Sequence, residues 1–444
     1  MSTSIIRFRL AGAIIMGMLI MLSCATQNPR PPADPAIGSI DQVAEDYTKL
    51  VLHFGEHDDG YVDAYHGPGE WREEAQANTK SLSQIKLEAE AQLTKLAKEE
   101  APTGDELETL RHEFLIAQLR ALIARVEMIE GKKFAFDEES QALYNAVSPS
   151  YPASHYEEIL AQLDSLVPGA GPLTERINAF RDQFIIPLDS LEKVFTTAIK
   201  EARRRTLAAM ELPDNENFRL EFVTDQAWSA YNWYQGNFQS LIQVDTDLPI
   251  YIHRAIDLAS HEGYPGHHVY NVMLEQHLVN ERGWVEFSVY PLYSPLALIA
   301  EGTANYGIDV AFPGEERIRY EKEVLFPLAG LDSAQAGKYY QVLALKKKLA
   351  YASNEAARGY LDGTMTADEA VVWLIQYSLS SPERARKFLR FVDIYRSYVI
   401  NYNLGQDMVR SWVESQGGTD DNPQWRWEIF QQLLSSPRLA SGLR

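Results

Sequence analysis

Three of the ten histidines fall within eight residues, in His261-Glu262-Gly263-Tyr264-Pro265-Gly266-His267-His268. His253 precedes the cluster and His277 follows it. Two histidines one helical turn apart, with a glutamate beside the first, can hold a zinc ion and activate a water. The turn matters because both ligand nitrogens must come within about 2.0–2.1 Å of one ion. That spacing is absent here, since Pro265 stands where the second histidine would be. On a regular helix His267 would lie about 240° round from His261, and His268 would return to the same face about 10.5 Å along the axis. Neither could share an ion with His261 without a distortion. Pro265 removes a backbone donor and clashes with the preceding turn, and Gly263 and Gly266 loosen the backbone. A bulge or kink is therefore predicted at this point. Looping out two residues would bring His267 to the second ligand position. His267 is the preferred second ligand and His268 the alternative, with the other histidine orienting a ligand or touching substrate.

A hydrolytic zinc site needs a third protein ligand and an open position for water. Glu301, forty residues after His261, follows an apolar stretch that a second helix could present to the first. Alone, it would read as an ordinary solvated helix acid. After the histidine cluster it is the third-ligand candidate. Glu262 would then be the general base, with zinc lowering the pKa of water. Asn305 stands one turn after Glu301 and Asp257 one turn before His261; either could orient a ligand histidine through its other ring nitrogen. An amide hydrolase also needs a donor for the oxyanion. The stretch containing Tyr395, Tyr398 and Tyr402, ahead of Gly405, is rich in phenols, and Tyr402 is the candidate there. A stripe of packing tyrosines is the competing reading. Tyr290 and Tyr293 could line a pocket.

The elements that would position these groups read as mainly helical. Leu107, Leu110, Phe114, Ala117, Ala121, Ala124 and Met128 recur at spacings of three and four, one stripe of a long helix with Asp105 as its cap. Residues 41–55, 80–99, 156–166, 174–210, 333–361 and 367–378 also carry helical patterning, with breaks at Pro102, Pro149, Pro152, Pro168, Pro172 and Pro213. Residues 218–223 and 240–244 are the β-prone runs. The second, upstream of the histidines, is expected as an edge strand able to pair with an extended peptide. The fold class expected is mainly α with a small β-sheet. An N-terminal helical region over residues 41–215 would precede a catalytic region over residues 216–444.

The octapeptide from His261, with Glu301-Gly302 and Tyr306 downstream, resembles the bacterial domain of unknown function 885 family over most of the chain after its leader. Members of that family resemble zincin metallopeptidases and are often lipoproteins. The resemblance implies a zincin-like helical catalytic domain, with His261, His267 and Glu301 as zinc ligands and Glu262 as base. The stretched histidine spacing is also similar to that of dipeptidyl peptidase III, where zinc is completed by a glutamate on a later helix. Thr303 stands where the family usually has tryptophan, which alters the expected pocket shape.

Composition narrows the remaining choices. The chain has 444 residues, a net charge of −21 and a single cysteine. A disulfide framework and a cysteine-rich zinc module are excluded, and a nucleic-acid backbone is not an expected partner. Arg7 and Arg9 precede a run of about 13 apolar or small residues, which is too short for an ordinary membrane span. It ends at Cys24, where a bacterial lipoprotein would be cleaved and lipidated. Residues 1–23 read as a lipoprotein signal peptide and residues 24–40 as a proline-rich tether. Ala25 after the cysteine favours the outer membrane, facing the periplasm. Membrane association is expected through the lipid anchor alone. The expected activity is zinc-dependent hydrolysis of peptides. The alternatives are a zincin-like envelope protein that binds without cleaving, and a zinc hydrolase of esters or non-peptide amides.

Overall fold

The computed structural model describes residues 40–98 and 104–443. The signal peptide, Cys24, the tether up to residue 39 and the break at Pro102 lie outside the described residues. Asp105 caps the longest helix, Glu106–Ile129, by accepting from the Leu107 amide at 2.9 Å. The buried face is wider than the predicted stripe. It includes Arg111, Leu115, Gln118, Leu119 and Leu122 beside Phe114, Ala121 and Ala124. Helices pack against this element on several sides, so it carries little amphipathic contrast. Arg111, itself 2% exposed, donates to Glu286 at 2.6 and 3.2 Å and to Asp41 at 2.7 Å, joining this helix to two distant segments.

Ile40–Gly55, Leu82–Leu96, Ala153–Leu166 and Ala367–Tyr377 form where helical patterning predicted them. Two long predicted helices are each divided. Residues 174–210 become Leu173–Asp182 and Leu188–Leu207, separated by a turn at Gln183 and Phe184 and an extended step at Ile185 and Ile186. Pro187 cannot donate in a helix interior and instead starts the second helix. The step is held by the Ile186 amide on the Ile250 carbonyl and the Ile252 amide on the Phe184 carbonyl, both at 2.8 Å. Residues 333–361 divide into Ala336–Lys347 and Tyr351–Leu361, through tight turns that close at Lys348, Leu349 and Ala350.

Five strands occur among the described residues: β1 (Val62–Tyr65), β2 (Asn217–Val223), β3 (Ala230–Gly236), β4 (Gln239–Asp245) and β5 (Val289–Pro291). β1 pairs antiparallel with β5. The larger sheet has the order β2-β4-β3, with β2 parallel and β3 antiparallel to β4. The expectation that residues 240–244 form an edge strand is thereby corrected. β4 is central, and both of its edges are occupied by neighbouring strands. The edges belong to β2 and to β3, whose run of Tyr231, Asn232, Trp233 and Tyr234 carries no strand pattern in the sequence. The described residues form one compact unit, and segments on both sides of position 215 contribute to the same core. No helix of the described residues is long and apolar enough to cross a membrane.

Candidate metal centre

The distortion predicted at the histidine cluster takes a specific form. The helix His253–Leu258 widens into a π-helical turn, Ala259–Gly263, then breaks, and a new helix, His267–Leu274, begins. At the break, the Gly266 amide donates to the Ser260 carbonyl at 2.8 Å. A Cβ on Gly266 would lie 1.9 Å from the His261 carbonyl oxygen, so no other residue fits this approach. The effect is to fold the chain back until His261 and His267 face each other, with their Nε2 atoms 3.2 Å apart.

Glu301 comes from the helix Pro295–Ala311, which crosses closely against Ile400–Ser415. The closeness depends on two glycines. A Cβ on Gly302 would meet the Gly405 carbonyl at 2.5 Å, and one on Gly405 would meet the Leu298 carbonyl at 2.7 Å. Glu301 Oε2 lies 3.2 Å from His261 Nε2 and 3.6 Å from His267 Nε2. The other carboxylate oxygen, Oε1, accepts from the Tyr398 hydroxyl at 2.8 Å.

These three atoms can be tested against a metal. Four ligands at about 2.0–2.1 Å in a tetrahedron stand about 3.3–3.4 Å from each other. The three observed separations, 3.2, 3.2 and 3.6 Å, bracket that edge. Glu301 Oε2 is buried and makes no hydrogen bond of acceptable geometry, although two imidazole nitrogens are close. A buried carboxylate oxygen that faces two imidazole nitrogens without a well-formed hydrogen bond is what a cation site leaves behind when the ion is removed. His261, His267 and Glu301 therefore form a cluster that could hold a metal ion.

Electrostatics point the same way. Burial lowers the pKa of His267, but the Glu301, Glu262 and Asp63 carboxylates outweigh it and push the value up to about 9. Burial would raise Glu301, yet the His267 and His261 imidazoles hold its carboxyl well below the usual range. Glu262 is buried and reaches within 4.0 Å of His261 Nε2, and burial raises its pKa. Its backbone carbonyl accepts from the Asn232 side chain at 2.7 Å, which ties the π-helical turn to β3.

The remaining candidates separate. Asn305 Oδ1 lies 3.1 Å from His261 Nδ1, while its amide donates to the Tyr402 carbonyl at 3.0 Å. With a proton on Nδ1, this contact leaves the His261 Nε2 lone pair free for an ion. Asp257 does not orient His261. Its carboxylate accepts from Arg317 at 2.7 Å and Arg254 at 3.3 Å, which drew it away from the ligand. His268 points behind the site and touches no wall of the cavity, so its expected orienting or substrate role is also corrected. Wholly buried, it meets Ser240 Oγ at 2.9 Å through Nδ1 and Glu216 Oε2 at 3.0 Å through Nε2. Adjacent residues on a helix leave it about 100° apart, so the new helix that turns His267 inward must turn His268 away. His253 instead meets the Tyr339 hydroxyl at 2.6 Å, and His277 pairs with Glu281 at the surface.

A cavity of about 570 Å³ opens onto the cluster, lined by Asp63, Tyr231, Tyr290, Tyr398 and Tyr402 near the ligand atoms. The Tyr402 ring centre is 6.5 Å from that of His261. Burial, together with Glu301 and Glu262, keeps the Tyr402 hydroxyl protonated well beyond neutral pH. Tyr293 is not in the wall; Arg125 stacks on its ring, with 3.9 Å from the guanidinium carbon to the centroid. Thr303 turns inward and bonds back to the Ile299 and Ala300 carbonyls at 2.8 and 3.0 Å. Sequence reasoning missed Tyr398, which holds Glu301, because it sits in a stripe of tyrosines with nothing to single it out. It also missed Asp63, on a strand of only four residues; its carboxyl bonds to Tyr231, and burial raises its pKa to about 6.

Fold and site together define a mainly helical protein with a small β-sheet and a two-histidine, one-glutamate cluster able to hold a metal. No family model and no curated protein matches the chain. Among solved structures it is similar to a candidate lipoprotein of unknown function from Shewanella oneidensis, at 14% identity and a TM-score of 0.40, over 87% of this chain and 82% of that one. It is also similar to the M32 carboxypeptidase of Deinococcus radiodurans R1, at 12% identity and a TM-score of 0.46, over 88% and 90% of the two chains.

Proposed function

We propose that this protein is a zinc-dependent peptide hydrolase held at the cell envelope by a lipid on Cys24. The observation that carries the reading is the near-tetrahedral convergence of His261, His267 and Glu301 with Glu262 alongside. Two imidazoles and one carboxylate are a donor set that zinc, a borderline ion, accepts, and three protein ligands leave a coordination position open. Zinc held there would act as a Lewis acid, lowering the pKa of water and polarising a carbonyl.

The chain's own residues do the rest. Glu262 takes a proton from the attacking water and passes it to the leaving amine, a role its burial favours by raising its basicity. Asn305 fixes the ring orientation of His261, and Tyr398 fixes that of the Glu301 carboxylate. Tyr402, protonated and facing the cavity, donates to the oxyanion. β3, which lines the same cavity, is the strand edge along which an extended peptide would lie.

The test is metal analysis together with cleavage of a peptide library by the full chain and its Glu262→Gln variant. About one zinc per chain is expected in both. Turnover should fall roughly 10²–10⁴-fold in the variant, the usual value of general acid–base catalysis. Near-wild-type turnover in Glu262→Gln would remove the base assignment. Stoichiometric zinc with no cleavage of peptides, esters or amides would leave the binding-only reading.

A further inference from the structure

The cavity has a second end, away from the metal cluster, where the charge reverses. Its wall there includes Arg181, Tyr251, Arg254, Arg384 and Lys387. In a chain of net charge −21 such a grouping needs a reason. Two of the cations are already neutralised. Arg254 donates to Asp257 at 3.3 Å, and Lys387 pairs with Asp245. Arg181 and Arg384 have no carboxylate partner within ion-pair distance among the described residues.

Arg181 is only 8% exposed, and its Nε is buried without any hydrogen-bond acceptor. Its guanidinium carbon sits 4.3 Å from the Tyr251 ring centroid, and that of Arg384 sits 5.2 Å from the same centroid. Arg384 also donates to the Pro249 carbonyl at 2.8 Å. Asp182, next to Arg181 in the chain, accepts from the Tyr251 hydroxyl at 3.0 Å. Two guanidinium groups share one aromatic ring with no anion between them. A buried, unpaired cation is expensive to maintain, and a guanidinium fork matches a carboxylate. The excess positive charge is felt nearby. Burial, with Arg181 and Arg384, pushes the pKa of Lys346 down to about 7.

We infer that Arg181 and Arg384, mounted on Tyr251, form a subsite for a carboxylate of the peptide whose scissile bond lies at the metal cluster. The inference rests on the peptide-hydrolase reading, to which it adds a substrate class. Tyr251 stands just before the helix that begins at His253 and leads into His261, so at about 1.5 Å per helical residue the guanidinium pair lies on the order of 10–15 Å from the ligand atoms. An extended peptide advances about 3.3–3.6 Å per residue, so roughly three or four residues span the gap. The carboxylate is either the terminal one, a few residues beyond the scissile bond, or an acidic side chain at that position.

The experiment measures equilibrium binding of a labelled peptide with a free C-terminus, and of its C-terminal amide, to the full-length, zinc-loaded Glu262→Gln protein. Arg181→Met and Arg384→Met are made in the same background, with zinc content and melting temperature recorded, and Arg181→Lys is the conservative control. The free acid should bind about 10–100-fold more tightly than the amide, as expected for charge-assisted hydrogen bonds. Each methionine variant should erase most of that difference, and Arg181→Lys should keep part of it. Arg384→Met decides the matter if Arg181→Met fails to fold. Should acid and amide bind alike, an amide carrying glutamate near its end distinguishes the sources: arginine-dependent tight binding assigns the subsite to a side-chain carboxylate. Equal binding of all three peptides, or preferences unchanged by the methionine variants, overturns the inference. Wild-type cleavage run in parallel separates the two readings. Cleavage without arginine-dependent binding leaves hydrolysis standing and removes the subsite. Arginine-dependent binding without cleavage does the reverse.

Discussion

His267 and His268 are neighbours in the chain, both lie close to a carboxylate, and they belong to different worlds. His267 faces the cavity, where Glu301, Glu262 and Asp63 converge on it and raise its pKa to about 9. His268 faces the β2-β4-β3 sheet, wholly buried, and burial lowers its pKa. Its one carboxylate, Glu216, is already engaged by Arg203 and by the Tyr264 hydroxyl at 2.6 Å. A histidine beside an acid is thus not by itself a ligand. What marks the ligand is an excess of negative charge over the donors available to satisfy it, and a carboxylate oxygen left without a hydrogen bond. Around His268 every group is matched, which describes a structural cross-link between helix and sheet.

The comparison breaks most sharply by truncating each histidine in turn. His267→Ala should abolish stoichiometric zinc binding and turnover together, as read by metal analysis of the purified protein. His268→Ala should retain zinc but lose stability, by about 2–4 kcal/mol, because it opens a cavity and leaves Ser240 and Glu216 short of partners. Denaturant unfolding checks that figure. Zinc loss confined to His268→Ala would reverse the assignment.

A smaller effect is expected one step back from the ligands. Asn305→Ala removes the acceptor for His261 Nδ1 and the link to the Tyr402 carbonyl. Zinc affinity should fall about 10–100-fold, the usual range for a partner that orients a metal-bound histidine. Competition with a chelator would measure it, and an unchanged affinity would show that packing alone orients the ring.

The gentlest test uses pH. A ligand imidazole must be neutral, and below about pH 9 His267 carries a proton in the metal-free protein. Zinc affinity should therefore rise about tenfold per pH unit between pH 6 and 8 and flatten towards 9, as titration in a metal buffer would show. The stability of the metal-free protein should run the other way. The raised pKa of His267 contributes stability in full below its unfolded value near 6.5, and that contribution is lost as pH climbs through 9. A melting temperature of the metal-free form that rises from pH 7 to 9 would contradict the sign.

Much of the metal end was open to reading because its chemistry is local. His261, Glu262, Pro265, Gly266 and His267 occupy one short segment. Proline and glycine act on the backbone wherever they occur, so a break at this point follows from residue types alone, while the choice between His267 and His268 depended on the form the break takes. The helical patterning of residues 41–55, 156–166 and 367–378 was legible for the same reason: the apolar period and the breakers lie within a few turns. The cap at Asp105 needs only its own first turn.

Tertiary structure decided everything that depends on partners distant in the chain. Whether β4 is an edge or a centre depends on β3, whose aromatic run has no alternating pattern. Asp257 went to Arg317, sixty residues away, and not to His261. Tyr398 reaches Glu301 only because Gly302 and Gly405 let two helix backbones touch. The opposite end of the cavity joins Arg181, Tyr251 and Arg384 from three separate segments, brought together by the extended step before Pro187 and its pairing with Ile250 and Ile252. Backbone conformation is set largely by nearest neighbours. The pairing of a charge is set by whichever opposite charge the fold brings within a few ångströms, and no local pattern records that choice.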